Sequence, residues 1–448
     1  MAFTKDRRLF LQAAAKLGLS AGAFLIFETA CSFADPTQVP ASSTPTLTPH
    51  INPTSTPFNN PTLGKPTPTY SSSTPINVPT PTREAVVATP QVNPILPNSV
   101  INNAHVRMGH LLRRAGFGAT RQEIDKFVDL GEEATISFLL DYHQVDDTDV
   151  ESRIENLNLD PSNKLVDLQR MAMMRMIYTK RPLQEKMVLF WHGLLTSGWK
   201  KVGKGPYMLA QDELFRDHAI GPYDDLLKAV AKDSAMLIWL DSRVNKKNKP
   251  NENFARELME LFSMGVGTFT EDDVKESARA FTGWSLKKKE FFFQEDQHDF
   301  GLKTFLGNTG HHDGTDIVDI VMQQPVTSLF ISRKLFEFFA YDNPETEVIS
   351  RLAKTFNETG YNIRAVVDEI LKSDEFYSHK AYRSKIKSPV ELVAGTIRTL
   401  AIETTARNGV TKYTGPMGQE LFNPFDVSGW PQNAEWINSS TLLNRLNF

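Results

Sequence analysis

An all-α fold is what this 448-residue sequence predicts, and three observations carry that prediction. From about residue 100 onward, helix-start signals and apolar positions at three- and four-residue spacing recur. Neither a βαβ alternation nor a phosphate-cradling GxGxxG or GxxxxGK[ST] run occurs. A long Pro/Thr-rich stretch separates this region from the N-terminus. The expected architecture is therefore one large multi-helix domain over 99–448 with one short β-hairpin, behind a disordered stalk.

Residues 1–35 read as an export signal. Lys5, Arg7 and Arg8 supply a basic start, and a weakly apolar stretch follows from Leu9 to Phe27, interrupted by Lys16. The order Arg7-Arg8-Leu9-Phe10-Leu11 fits a twin-arginine signal, RRxFL; a general secretory signal or a retained anchor is the alternative. Cys31, in Thr29-Ala30-Cys31-Ser32, sits in a lipobox-like setting, with Glu28 as the misfit. Acylation there would tether the protein to the cell-envelope membrane, since stable anchoring needs more than one acyl chain. Cleavage after Ala34 is the rival outcome.

Residues 36–98 hold 15 Pro, 13 Thr and 6 Ser among 63 positions. Proline blocks helix and strand ladders, and so little apolar area cannot offset ordering entropy. An extended stalk follows, reaching roughly 200 Å at about 3.1 Å per residue.

Composition narrows the chemistry. Cys31 is the only cysteine, which excludes an internal disulfide framework, a Cys-rich zinc site, an iron–sulfur cluster and a covalent haem. Beyond residue 98 there are 43 basic and 49 acidic residues. That balance argues against nucleic acid as a partner, though a local basic pocket remains compatible with it.

Within the domain, Thr120-Arg121-Gln122-Glu123 is a capping box, and Pro182 opens an apolar helix over 183–195. Segments 233–241 and 271–281 follow, the second with acids in its first turn. Residues 288–294, with three consecutive Phe, are the hairpin candidate. Later helices are expected at 314–324, 326–340, 345–357, 362–372, 389–403 and 433–446, with a seam between two lobes near 285–312.

Several runs resemble a bacterial family called "domain of unknown function 1800". They are HLLRRAGFG at 110–118, FWHG at 190–193, RDHA at 216–219 and NENFARELMEL at 251–261. TGW at 282–284, HDFGLK at 298–303 and RKL at 333–335 continue the match. Gly193 and Phe262 depart from it, where the family often has Asn and His. The resemblance implies a helical exported bacterial protein, often twin-arginine dependent, with an exported sulfatase-like protein as a possible partner. It implies no reaction.

The residues themselves suggest chemistry. As a helix, 251–261 places Glu252, Arg256 and Glu260 on one face, with Glu257 beside an apolar stripe. That is either a structural ion ladder or a pocket-facing pair, Glu257 and Glu260, for acid/base work. His298 and Asp299 complete the candidate catalytic set; Arg256, Arg279 and Trp284 are candidates for holding substrate. His192 and His218 are candidate ligands for a divalent transition metal, although no HExxH or ExxH spacing supports them. The leading expectation is an exported enzyme acting on an envelope or extracellular polymer. The alternative is a non-catalytic module binding glycan or protein, with the same residues locked into structural pairs.

Overall fold

Capping chemistry starts several helices where the sequence places them. The computed structural model describes residues 100–448; the expected signal, Cys31 and the stalk lie outside the described residues. The Asn103 side chain accepts from the Val106 N–H and opens α1 (Ala104–Arg114). Thr120 and Glu123 form the reciprocal box that starts α2 (Arg121–Leu130), and α3 (Glu132–Leu140) and α4 (Thr148–Glu155) follow. Next come α5 (Leu165–Tyr178) and α6 (Pro182–Leu194), the latter with its proline in the first turn. After α7 (Trp199–Val202), α8 (Gly205–Asp217), α9 (Tyr223–Lys232) and α10 (Ser234–Trp239), the motif helix α11 spans Asn253–Glu260. A second box, Thr270 with Asp273, starts α12 (Glu271–Ala280).

Two antiparallel hairpins interrupt the helices, where one was expected. β1 (Trp284–Lys287) pairs with β2 (Glu290–Phe293), and β3 (Lys303–Phe305) with β4 (Asn308–Gly310). Lys288 and Lys289 make the first turn at φ 52° and 78°. The chain then returns to helix as α13 (Gly314–Met322), α14 (Pro325–Phe339), α15 (Thr346–Glu358), α16 (Ile363–Lys372), α17 (Pro389–Thr399), α18 (Asn408–Thr414) and α19 (Ser439–Asn447). Two expected helices are shortened. α17 stops at Thr399, and Ala401 takes φ 50° just beyond it. The expected 433–446 helix breaks at Asn438, whose side chain accepts from the Ser440 and Thr441 N–H groups and starts a new helix.

The seam at 285–312 is not a boundary. Phe254, Phe281 and Trp284 before it, Phe305 within it and Ile317 to Phe376 after it share one apolar core. Each hairpin anchors a buried aromatic there, Trp284 from the first and Phe305 from the second. A second cluster joins α5, α17 and the Met417–Leu421–Phe422 segment. Helix α6 lies between the two. Leu183, Met187 and Trp191 enter the first core and Leu189 the second, so ten consecutive positions from Leu183 are buried. Because the helix is enclosed on all sides, its Glu185 and Lys186 are buried with it, and each is paired with an opposite charge.

Candidate functional site

The sequence-chosen residues fall into separate settings. Arg256 bridges helices: it donates to both Glu271 carboxylate oxygens at 2.9 and 2.8 Å and reaches Glu252 at 3.4 Å. The expected ladder thus runs from α11 to the start of α12 and leaves Glu260 out. Arg279 forks onto Asp299, at 2.7 and 3.2 Å, and also holds Glu276. The Arg279 hydrogen bonds keep the Asp299 carboxyl below its usual range. His298 is buried between Phe293 and Phe300 and donates Nδ1–H to the Thr282 carbonyl at 2.7 Å. Trp284, expected at a substrate surface, is buried edge-on against Phe281 and Phe291. These side chains clamp the hairpin region to α12.

His192 and His218 do not fit a metal centre. His192 Nε2 accepts the Phe422 N–H at 3.1 Å, which commits the lone pair a metal would need. Burial among Phe215, Phe422 and Trp430 pushes its pKa down to about 3, so the ring is neutral. His218 ends α8 as a half-buried C-cap. Among the described residues, no three His, Cys, Asp or Glu side chains gather as metal ligands. The Glu257 carboxyl is lifted by partial burial and by Glu260 and Asp426 nearby, against Arg256.

A buried ionic network occupies the α5–α6–α8 interface. Arg175 joins Glu151, Asp212 and Glu213, while Arg216 joins Glu185 and Glu213. Burial raises Glu185 to about 7 and Asp212 to about 6, with the guanidiniums only partly opposing it. Asp233, buried under the start of α10, stands at about 7 despite accepting from Met236 N–H and Gln211. These carboxyls hold their protons more tightly folded than unfolded. Their contribution to stability is complete below about pH 4 and is lost as pH rises through 6 to 7. Denaturant unfolding should therefore show stability falling by on the order of 3 kcal/mol from about pH 5 to pH 8. Glu185→Gln should visibly flatten that fall; an unchanged slope in the variant would remove Glu185 as a source.

The open geometry lies elsewhere, where α1, α6, α14 and the chain after Ala381 meet. A cleft of about 240 Å³ is walled by Phe190, Phe338, Trp430 and Trp436, with Lys334, Glu337 and Gln432 among its polar lining. The Trp430 indole N–H is buried without a partner among the described residues. Gly193 leaves the floor open: a Cβ there would only reach ordinary contact with Trp430, 4.0 Å away. Leu261, one residue past α11, and Val427 and Ser428, next to Asp426, line the same cleft. The Glu257–Glu260–Asp426 carboxylates therefore stand on segments that reach its rim.

Beneath the cleft lies a buried ion pair. Lys186 of α6 is fully buried, with its ammonium on Glu391 and near the Phe117 and Phe338 rings. Burial alone would raise the Glu391 carboxyl, but Lys186 and Arg114 hold it down at about 2. Glu391 also closes the capping box of α17 through the Ser388 N–H. Arg114 donates to the last carbonyls of α14, Phe338 and Phe339, the usual cation at a helix C-terminus. The glycines after it are required. A Cβ on Gly116 would meet Pro182 Cβ at 2.8 Å, and Gly118 turns at φ 90°.

The family model described as "Protein of unknown function (DUF1800)" matches residues 110–448. The chain belongs to the DUF1800 family. Comparison with curated proteins and with solved structures finds no match. The DUF1800 match begins at His110, inside the helix that carries Arg113 and Arg114, and spans every residue of the cleft. The HLLRRAGFG run was visible as a motif, but its role was not. Arg114 seals a helix 225 residues away in sequence and lines the cleft. The signals for the cleft were the adjacent arginines and the basic run Arg383-Ser384-Lys385-Ile386-Lys387.

Proposed function

We propose that this DUF1800 protein is an extracytoplasmic, lipid-tethered binding module that holds a segment of an envelope or extracellular glycan in the Trp430–Trp436 cleft. The observation that carries the reading is the cleft itself: aromatic walls, a mixed polar lining and an unpartnered indole N–H. Indole and phenyl surfaces suit the apolar faces of sugar rings, and the polar lining suits their hydroxyls. The tether reading draws on Arg7-Arg8, Cys31 and the Pro/Thr stalk. An exported sulfatase-like protein remains the proposed partner, on the family resemblance alone.

The test is polymer capture by whole cells. Cells carrying the wild-type chain should retain purified envelope glycan. Gly193→Phe, which fills the cleft without disturbing a positive φ, should abolish retention while the protein stays folded and cell-bound. Cys31→Ala should move the protein to the medium or periplasm with its glycan binding intact. Equal glycan retention by Gly193→Phe would sink the reading.

Catalysis is the second reading, and the raised carboxyl of Glu257, on the helix that leads to the cleft-lining Leu261, favours it. Soluble fragments released from captured glycan, lost in Glu257→Gln, would decide for the enzyme.

A further inference from the structure

A second cavity, of about 150 Å³, adjoins the cleft, and Arg114, Lys385 and Glu391 line both. Arg113, Arg383 and Lys387 complete its basic wall. The bonds of each charged group can be followed. Arg114 donates from Nε and Nη2 to the Phe339 and Phe338 carbonyls. Lys385 pairs with Asp342. Glu391 is the one carboxylate lining this cavity, and Lys186 already neutralises it.

Arg113, Arg383 and Lys387 are left over. None of the three has a salt-bridge partner among the described residues, although 29 such bridges occur there. Their placement is specific. The Arg113 guanidinium folds over Gly109, 3.3 Å from where a Cβ would stand, and Lys387 Nζ lies 3.8 Å from the same point on Gly395. The α1 helix and the segment before α17 thus aim cations at one hollow from two sides. Arg113 and Lys387 are both pulled below their ordinary pKa, chiefly by partial desolvation in the cavity wall; Arg383 adds to this for Arg113, while for Lys387 Glu391 opposes it more strongly than Arg113 adds to it. Like charges that line one cavity repel, and an anion between them offsets that repulsion.

We propose that this cavity is a binding site for a tetrahedral oxyanion, the phosphate or sulfate ester group of an acidic glycan whose sugar rings occupy the adjoining cleft. Guanidinium forks match the paired oxygens of such a group, and an ammonium supplies a third donor. The identity of the carrier rests on the glycan reading; the anion site does not.

The two are separated by using inorganic ions first. Sodium phosphate and sodium sulfate are titrated into the full-length chain by calorimetry, against sodium chloride at matched ionic strength. One ion should bind per chain, and Arg383→Gln and Lys387→Gln should each weaken it by about tenfold or more, equivalent to about 1.4 kcal/mol. Lys387→Arg should retain binding. Both side chains are exposed, so the variants should keep the wild-type circular dichroism. Without added anion Arg383→Gln should unfold at the same temperature or higher, because its repulsion of Arg113 has been relieved. Gly193→Phe should still bind the ion while losing the glycan. Preference for phosphate or sulfate names the ester. A response to both no larger than that to chloride, or unchanged affinity in the two Gln variants, overturns the site.

Discussion

Glu391→Gln is expected to destabilise the fold by about 3–5 kcal/mol, the cost of leaving a buried charge without its partner. Lys186 has no solvent exposure, and Glu391 is its salt-bridge partner. Two aromatic rings within 5.4 Å of the ammonium soften the loss but cannot replace a carboxylate. The same change weakens the Ser388–Glu391 box at the start of α17. The pairing can be isolated with Lys186→Met and Glu391→Leu together. An apolar pair of similar volume should recover most of the loss, because neither charge then needs hydration. Urea unfolding of the three variants measures this. A loss under about 1 kcal/mol for Glu391→Gln alone would mean that water reaches Lys186, and α6 would not be sealed as described.

Trp191→Ala is expected to cost a similar amount, about 3–5 kcal/mol. The indole is fully buried, stacks on Tyr223 at 5.4 Å and 19°, and donates Nε1–H to the Ala219 carbonyl at 2.8 Å. Removing it opens a cavity at the heart of the first core and orphans a buried carbonyl beside His218. Trp191→Phe keeps the stack and loses the hydrogen bond, so its cost should fall to about 1–2 kcal/mol. Near-equal losses for Ala and Phe would assign the stability to the hydrogen bond instead of the packing. The Phe190-Trp191-His192 motif is thereby explained as structure. Phe190 faces the cleft, Trp191 the core, and His192 ties α6 to the Phe422 backbone.

The candidate site was only partly legible. The spacing of Glu257 and Glu260 puts them on one helix, but of that stretch only Leu261 lines the cleft, and neither carboxylate is part of its wall. The imidazoles and Asp299 have the chemistry of a site, and in the fold that chemistry is used internally. His298 ties to a carbonyl 16 residues back and Asp299 to a guanidinium 20 residues back. Nothing in residue type distinguishes an acid facing a cleft from one gripping an arginine. That depends on which neighbour arrives in space.

By itself the sequence determined the helical class, the family and most helix starts. Capping boxes, first-turn prolines and apolar spacing act over three or four residues, and the Thr120, Thr270 and Pro182 starts were readable for that reason. Tertiary structure alone decided which charges are spent and which are free. Lys186 meets Glu391 across 205 residues, Arg114 meets Phe339 across 225, and His192 meets Phe422 across 230. Only once those pairs close are Arg113, Arg383 and Lys387 left facing a hollow, since a charge is neutralised by proximity in space and not by order along the chain.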